Sequence, residues 1–191
     1  LVSRQPHAKA GKTGLTSAEL TALYGTGQRR DVSGRGVLQA GKWTAQLQGG
    51  WLGRDGWDWT PQDVATQGNA FDEFHGLLQV GHATSEQTRW HGRLQGYWRD
   101  QTGVDLAATG AVFDRRQRST SLQVSAGPKH RWPKGHLHAE VQYSHFADRY
   151  VQDQRRSSAL DSVQDSQEQV AQGTVQWSQV VAKQQRLTAG L

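Results

Sequence analysis

The sequence predicts an all-β protein whose strands form one antiparallel, up-and-down sheet. Polar and apolar residues alternate along several segments, which places their side chains on opposite faces of a strand. Two segments, 43–51 and 90–98, begin and end with tryptophan and share this alternation. From residue 41 onward short turns and long loops alternate, which is typical of an up-and-down sheet with one plain end and one decorated end.

The two tryptophan-bounded segments define the pattern. At alternate positions each carries a tryptophan, a small residue, a leucine, a glycine and a second tryptophan, with mostly polar residues between them. A helix over the second segment would mix Arg93 with Trp90 and Leu94 on one side, so the helical interpretation fails.

The remaining strands are placed by the same alternation, which recurs at 74–80, 122–126, 137–143 and 171–177. The predicted strands are 15–24, 30–40, 43–52, 73–83, 89–99, 117–127, 136–147, 168–181 and 186 onward. Short turns are expected at 41–42, 84–88, 128–135 and 182–185, and long loops at 53–72, 100–116 and 148–166.

The polarity of the two faces favours a transmembrane β-barrel over a soluble one. A soluble barrel buries its apolar face, whereas an outer-membrane barrel exposes an apolar band to lipid between two aromatic girdles. Trp43 and Trp51 would stand roughly 20 Å apart along a tilted strand, close to the band height of about 25 Å. The apolar positions are poor in Ile and Phe, which suits lipid better than a packed core. The alternative is that the paired tryptophans pack in the core of a β-sandwich.

Composition excludes several classes of function. The chain has 191 residues, eight Trp, no Cys and no Met. Without Cys there is no disulfide framework, thiolate zinc site or cysteine nucleophile. No run of about 18 apolar residues could form a membrane helix, and enzyme motifs are absent. The net charge of +5 is dispersed apart from the basic run 129–134, so nucleic-acid binding is not expected. A chain without Met is expected to be processed or a fragment.

Four segments resemble the TonB-dependent outer-membrane receptors of Gram-negative bacteria. Residues 14–26 resemble the first barrel strand and its Tyr-Gly-Thr exit, and 41–47 resemble the following tight turn and strand. Residues 54–58 are similar to the Asp-Gly-aromatic opening of an external loop, and 96–100 to another strand exit.

The resemblance implies a ligand importer in the bacterial outer membrane. Family members hold a plug inside a barrel of about 22 strands, so about nine strands would be the N-terminal part of that barrel. Residues 1–13 would lead into the barrel, residues 14–191 would form it, and the final strand lacks the usual closing aromatic. The implied partners are outer-membrane lipid, lipopolysaccharide, the periplasmic TonB complex and a ligand such as a siderophore, cobalamin, metal chelate or oligosaccharide.

The resemblance also implies a topology. The connections at 25–29, 53–72, 100–116 and 148–166 would face outside, and the short turns would face the periplasm. Arginines at 115, 116, 118, 155 and 156 would then lie near lipopolysaccharide.

Candidate ligand-binding residues lie at one loop tip and along one strand. The loop carries Arg54, Trp57, Asp58 and Trp59, which could hold a chelate or polar ligand, or could belong to the aromatic girdle. The strand carries a basic ladder of His91, Arg93, Tyr97 and Arg99, which would favour an anionic chelate or solvate the lumen and pair with the plug. The expected membrane-interface aromatics are Trp43, Trp51, Trp90, Trp98 and Trp177.

No catalytic residue, cofactor or metal site is predicted. His136 and His138 share one strand face, but His145 lies on the opposite face. Metal ligation needs three or four converging ligands. Two other architectures remain open. One is a small eight-stranded barrel with an adhesive or structural role, and the other is a barrel completed by another chain.

Overall fold

The computed structural model describes residues 14–60, 62, 64–182 and 185–190. These residues form one antiparallel sheet whose nine strands are paired in sequence order. The strands are β1 (Gly14–Gly25), β2 (Arg29–Ala40), β3 (Trp43–Arg54), β4 (Ala70–Ala83), β5 (Thr88–Leu106), β6 (Val112–Trp132), β7 (Gly135–Gln154), β8 (Ser162–Ala182) and β9 (Gln185–Gly190), with a 3-10 turn at Thr26–Gln28. The predicted all-β, up-and-down fold is therefore confirmed, whereas the predicted segment 1–13 lies outside the described residues.

Strand register gives the sheet one apolar face and one polar face. The central row of the apolar face runs through Leu47, Leu78, Leu94, Val124 and Tyr143. The neighbouring row of the polar face runs through Gln46, Gln79, Arg93, Ser125 and Gln142. A slip of one residue would exchange the two faces of a strand, so the alternation in sequence fixes this register.

Two aromatic rows border the central band of the apolar face. At the plain end, where the short turns lie, Trp43 packs beside His82 with ring centroids 4.1 Å apart, and Trp90 pairs with His82 in register. At the opposite loop end, Phe74 lies between Trp51 and Trp98, with centroids 6.3 and 5.6 Å away.

Trp177 pairs with Leu137 near the plain-end row. All five predicted interface aromatics therefore lie at one border or the other of the apolar band, and their contact with lipid stays a prediction.

A row of glycines lies between the central row and the loop-end aromatic row. It crosses four neighbouring strands through Gly34, Gly49, Gly76 and Gly96. Added Cβ atoms at Gly76 and Gly96 would meet open space, whereas one at Gly49 would lie 3.1 Å from the His75 carbonyl oxygen.

The strands are longer, and the loops shorter, than the sequence predicts. The connection expected at 100–116 is reduced to 107–111, and the loops expected at 53–72 and 148–166 are reduced to 55–69 and 155–161. Ion pairs join the extended strands, among them Arg115–Asp105 at 2.7 Å. Charged and polar residues occupy both faces of these extensions, so no apolar alternation marks them.

At the plain end β6 also continues past its predicted limit to Trp132. The turn expected at 128–135 is therefore only 133–134. The β6–β7 ladder is interrupted at Gly127 and Pro128 and resumes at Lys129, because proline has no backbone N–H to donate to the ladder.

The apolar face is left uncovered. Within the described ranges, Phe113 is the only buried large hydrophobic residue. Leu47 in the central row is 62% exposed and Val141 is 66% exposed. None of the described segments is a helix with the length and hydropathy needed to cross a bilayer.

Candidate functional site

The predicted ligand-binding residues divide between a loop and the polar face. Trp57, Asp58 and Trp59 lie in the β3–β4 loop, and Arg54 ends β3. Arg93, Tyr97 and Arg99 alternate along β5 on the polar face, as the predicted ladder requires.

Arg54 and Arg99 come together around Phe71, a residue that the sequence analysis did not single out. The guanidinium carbons of Arg54 and Arg99 lie 5.2 and 4.7 Å from the Phe71 ring centroid. A salt bridge of 3.9 Å also joins Arg99 to Glu73. Cation–π contacts hold both guanidinium groups on the aromatic ring. The result is a pair of guanidinium groups at the loop end of the polar face, with one carboxylate, that of Glu73, beside them.

Tyr97 and Arg99 line a polar cavity of about 100 Å³ with Gln101, Gln117 and Ser119. Gln117 and Ser119 both donate hydrogen bonds to Asp148 on β7. The cavity can hold only a small polar group, so it is suited to one end of a larger ligand rather than to the whole of it.

A larger groove of about 440 Å³ lies at the loop end, outside the predicted set of binding residues. Its lining includes Thr66, Val104, Asp114, Arg115 and Arg116. Its volume falls in the range of small-molecule sites. The lining residues fall in segments that the sequence predicts as long loops, so the groove is not evident from the sequence.

The predicted binding residues of the β3–β4 loop differ in their contacts. Trp57 exchanges two backbone hydrogen bonds with Gly68, at 3.0 and 2.9 Å, and its ring meets Trp59 edge-on at 5.4 Å. Asp58 accepts a hydrogen bond of 2.9 Å from the Thr60 backbone N–H. Trp57 and Asp58 thus shape the loop, whereas Trp59 is 78% exposed.

Thr66 anchors this loop to β5. Its backbone N–H donates to the Val104 carbonyl at 2.9 Å, and its hydroxyl oxygen accepts from the Val104 N–H at 2.8 Å. Thr66 and Val104 both line the larger groove. The two hydrogen bonds between them hold the loop against β5.

Arg93, the other arginine of the ladder, lies towards the plain end. Its guanidinium donates a hydrogen bond of 2.6 Å to the Gln95 side-chain oxygen. Arg93 is exposed and is separated along β5 from the pair formed by Arg54 and Arg99.

The structure gathers a second group of polar side chains that the sequence analysis did not predict. His91, His138 and Glu140 converge near the plain end of the polar face. In the sequence, His138 is grouped with His136, its neighbour on the same strand face. The missing signal was the register of β5, β6 and β7, which brings residues 49 positions apart into contact.

At the outer limit of the loop end, Arg155 holds Asp114 through two hydrogen bonds of 2.8 and 2.7 Å. These bonds lower the pKa of Asp114 below its ordinary value, against a smaller opposing effect of burial. The ion pair is therefore intact at neutral pH. Its stabilising contribution is lost as the pH falls through the lowered pKa of Asp114.

Arg155→Gln is expected to raise the pKa of Asp114 towards the ordinary aspartate value of about 3.9, because glutamine removes both the charge and the paired donors. Carboxyl-carbon NMR titration of the folded protein measures this pKa. Arg149→Gln is the matched control, since Arg149 lies 3.7 Å from Asp165 instead. An Asp114 pKa unchanged by Arg155→Gln would contradict the assigned pair.

The chain matches no protein-family model, and no curated protein matches it.

Proposed function

We propose that this chain forms part of the wall of a bacterial outer-membrane β-barrel that imports a ligand with energy coupled through TonB. One observation carries the membrane assignment. Within the described residues, the sheet has an uncovered apolar face between two aromatic rows, and most polar-face side chains of β6 and β7 are half-buried.

The difference in exposure between the faces supports lipid contact. On the apolar face of β6 and β7, Leu122, Val124 and Val141 are exposed, whereas their neighbours on the polar face are half-buried or buried, as with Gln142 and with Ser125 at 7%. This is the pattern expected when a sheet curves towards its polar face. An apolar surface of this extent is unfavourable in water and requires a partner. A bilayer provides that partner over the height set by the two aromatic rows.

The edges of the sheet support a barrel larger than the described part. In the described sheet, β1 pairs with β2 and β9 pairs with β8, so each leaves an outer edge. Unpaired backbone groups are too costly in hydrocarbon, so a membrane sheet must close on itself. Further strands, from the same chain or another one, would close it.

Charges beyond the loop-end aromatic row support contact with lipopolysaccharide. Asp100 follows Trp98 on the apolar face and accepts hydrogen bonds from the Nε atoms of Arg116 and Arg118, at 2.9 and 3.1 Å. Charged groups at this height would meet the phosphates and acidic sugars of the outer leaflet rather than its acyl chains.

The receptor role rests on the family resemblance and on the loop-end chemistry. Arg54, Arg99 and the larger groove offer positive charge and volume where an external ligand would arrive. An anionic chelate is the ligand class that this charge favours. We therefore propose binding and transport rather than catalysis.

Fractionation of cells that express the full chain tests the membrane assignment. We expect the protein in the outer-membrane fraction, with an electrophoretic mobility that changes on heating, as a closed barrel gives. Intact mass and peptide mapping of the same band then distinguish one large barrel from a small or multi-chain one. Recovery in the soluble fraction alone refutes the membrane assignment.

Uptake measurements test the receptor role. Labelled ferric chelates and cobalamin are offered to cells with and without functional TonB, and we expect accumulation of one of them to require TonB. Arg54→Gln with Arg99→Gln should reduce that uptake, whereas Arg149→Gln should leave it unchanged. A heat-modifiable outer-membrane protein without TonB-dependent uptake would instead favour the structural or adhesive role.

A further inference from the structure

The group of His91, His138 and Glu140, here called the His–His–Glu cluster, joins strands that are not neighbours. His91 belongs to β5, and His138 and Glu140 belong to β7, with β6 between them. The β6 residue opposite His91 is Gly127. Because Gly127 has no side chain, the His91 imidazole can reach across β6 to the Glu140 carboxylate.

The donor atoms are close enough to share one ion. His91 Nε2 lies 2.8 Å from Glu140 Oε2, and one donor atom from each of the three side chains falls within 4.8 Å of the other two. In a tetrahedral zinc site, bonds of about 2.0–2.2 Å place the ligand atoms about 3.3–3.5 Å apart. The His91–Glu140 separation of 2.8 Å is shorter than this value and the other separations do not exceed 4.8 Å, so small side-chain rotations would complete the geometry.

The donor set determines the class of ion. Two imidazole nitrogens and one carboxylate oxygen suit borderline divalent metals such as Zn²⁺, and do not suit Ca²⁺ or Mg²⁺, which prefer oxygen ligands. Three protein ligands leave a fourth position for water or for a group of a bound molecule. His91 and Glu140 have side chains 23% and 28% exposed, so the site is accessible from the polar face yet partly desolvated.

We propose that the His–His–Glu cluster binds one divalent transition-metal ion of the Zn²⁺ class on the polar face, near the plain end. Binding replaces the His91–Glu140 contact with two metal bonds and adds His138 as the third ligand. The ion ties β5 to β7 across β6, where the β6–β7 ladder is interrupted.

Lys129 provides an independent test of the charge at this site. It is the register partner of His138 on β6, and its exposed ammonium group opposes a nearby cation. Lys129→Gln should therefore tighten metal binding by a few-fold, a gain that loss of folding cannot imitate.

Zn²⁺ titration of the full chain in detergent, without a polyhistidine tag and after chelator treatment, tests the proposal by competition with a chromophoric indicator. One equivalent of Zn²⁺ should bind. Removing a protein ligand by His138→Ala or Glu140→Gln should weaken binding roughly tenfold or more. His75→Ala, a change on the same face but outside the cluster, should leave the affinity unchanged.

Co²⁺ provides the second readout, because its visible spectrum reports a four-coordinate site directly. Far-ultraviolet circular dichroism checks that each variant keeps its β-sheet content, and Glu140→Gln preserves the size of the side chain. Equal Zn²⁺ affinity in the wild type, His138→Ala and Glu140→Gln would overturn the proposal, as would the absence of stoichiometric binding. Neither measurement depends on membrane import, so a failure of the metal-binding proposal can be distinguished from a failure of the proposed function.

Discussion

In the proposed outer-membrane barrel, Leu47→Arg should destabilise the folded protein in lipid by about 2–4 kcal/mol, the cost of a charged residue at the midplane of such a barrel. Leu47 lies in the central row, halfway between Trp43 and Trp51 along β3. Its side chain is 62% exposed, so arginine would meet lipid rather than clash with a packed core. Urea unfolding from lipid vesicles measures the free energy.

Gln46→Arg is the matched control, because Gln46 neighbours Leu47 but belongs to the polar face. Its register partners are Val37 and Gln79, so the new guanidinium meets no cationic register partner. We expect a change within about 0.5 kcal/mol, as for a surface substitution. Equal costs for Leu47→Arg and Gln46→Arg would show that the two faces do not meet different solvents.

Gly127→Ala should destabilise the sheet by about 1–3 kcal/mol, the usual cost of forcing an added group into filled space. A Cβ at Gly127 would fall on the Ala139 carbonyl oxygen of β7, well inside van der Waals contact. The strands must separate to admit it. The same methyl group would also disturb the path from His91 to Glu140, so Zn²⁺ affinity should fall with stability.

Gly173→Ala is the matched control for the predicted loss of stability. A Cβ at Gly173 meets no heavy atom within 4 Å, and its stability should change little. Unfolding of both variants in detergent by chemical denaturant gives the difference. If Gly127→Ala is as mild as Gly173→Ala, the close approach of β6 to β7 is not a constraint on this chain.

The sequence predicts the fold where apolar alternation is strong. Segments 43–51 and 90–98 fall inside β3 and β5, with their tryptophans on one face as expected. Prediction fails where both faces turn polar. Arg115 and Asp105 belong to paired strands joined by an ion pair, but their charges resemble a loop when only the sequence is considered.

The candidate sites were less predictable because they depend on register between strands. The basic ladder on β5 follows from the alternation of side chains within that strand, and the structure places Arg93, Tyr97 and Arg99 on one face. The approach of Arg54 to Phe71 and of His91 to Glu140 requires knowing which residues lie opposite one another. That information is set by pairing over long separations in sequence, which alternation within one strand does not contain.

The glycine row has a mechanical consequence for the wall. Across four neighbouring strands, one row of the sheet consists of backbone without side chains, because its residues are Gly34, Gly49, Gly76 and Gly96. Glycine within a strand often marks a tight bend at a barrel corner. The resistance of the sheet to bending should therefore be lowest along the glycine row, so that the sheet bends there while the leucine and tryptophan rows on either side stay rigid.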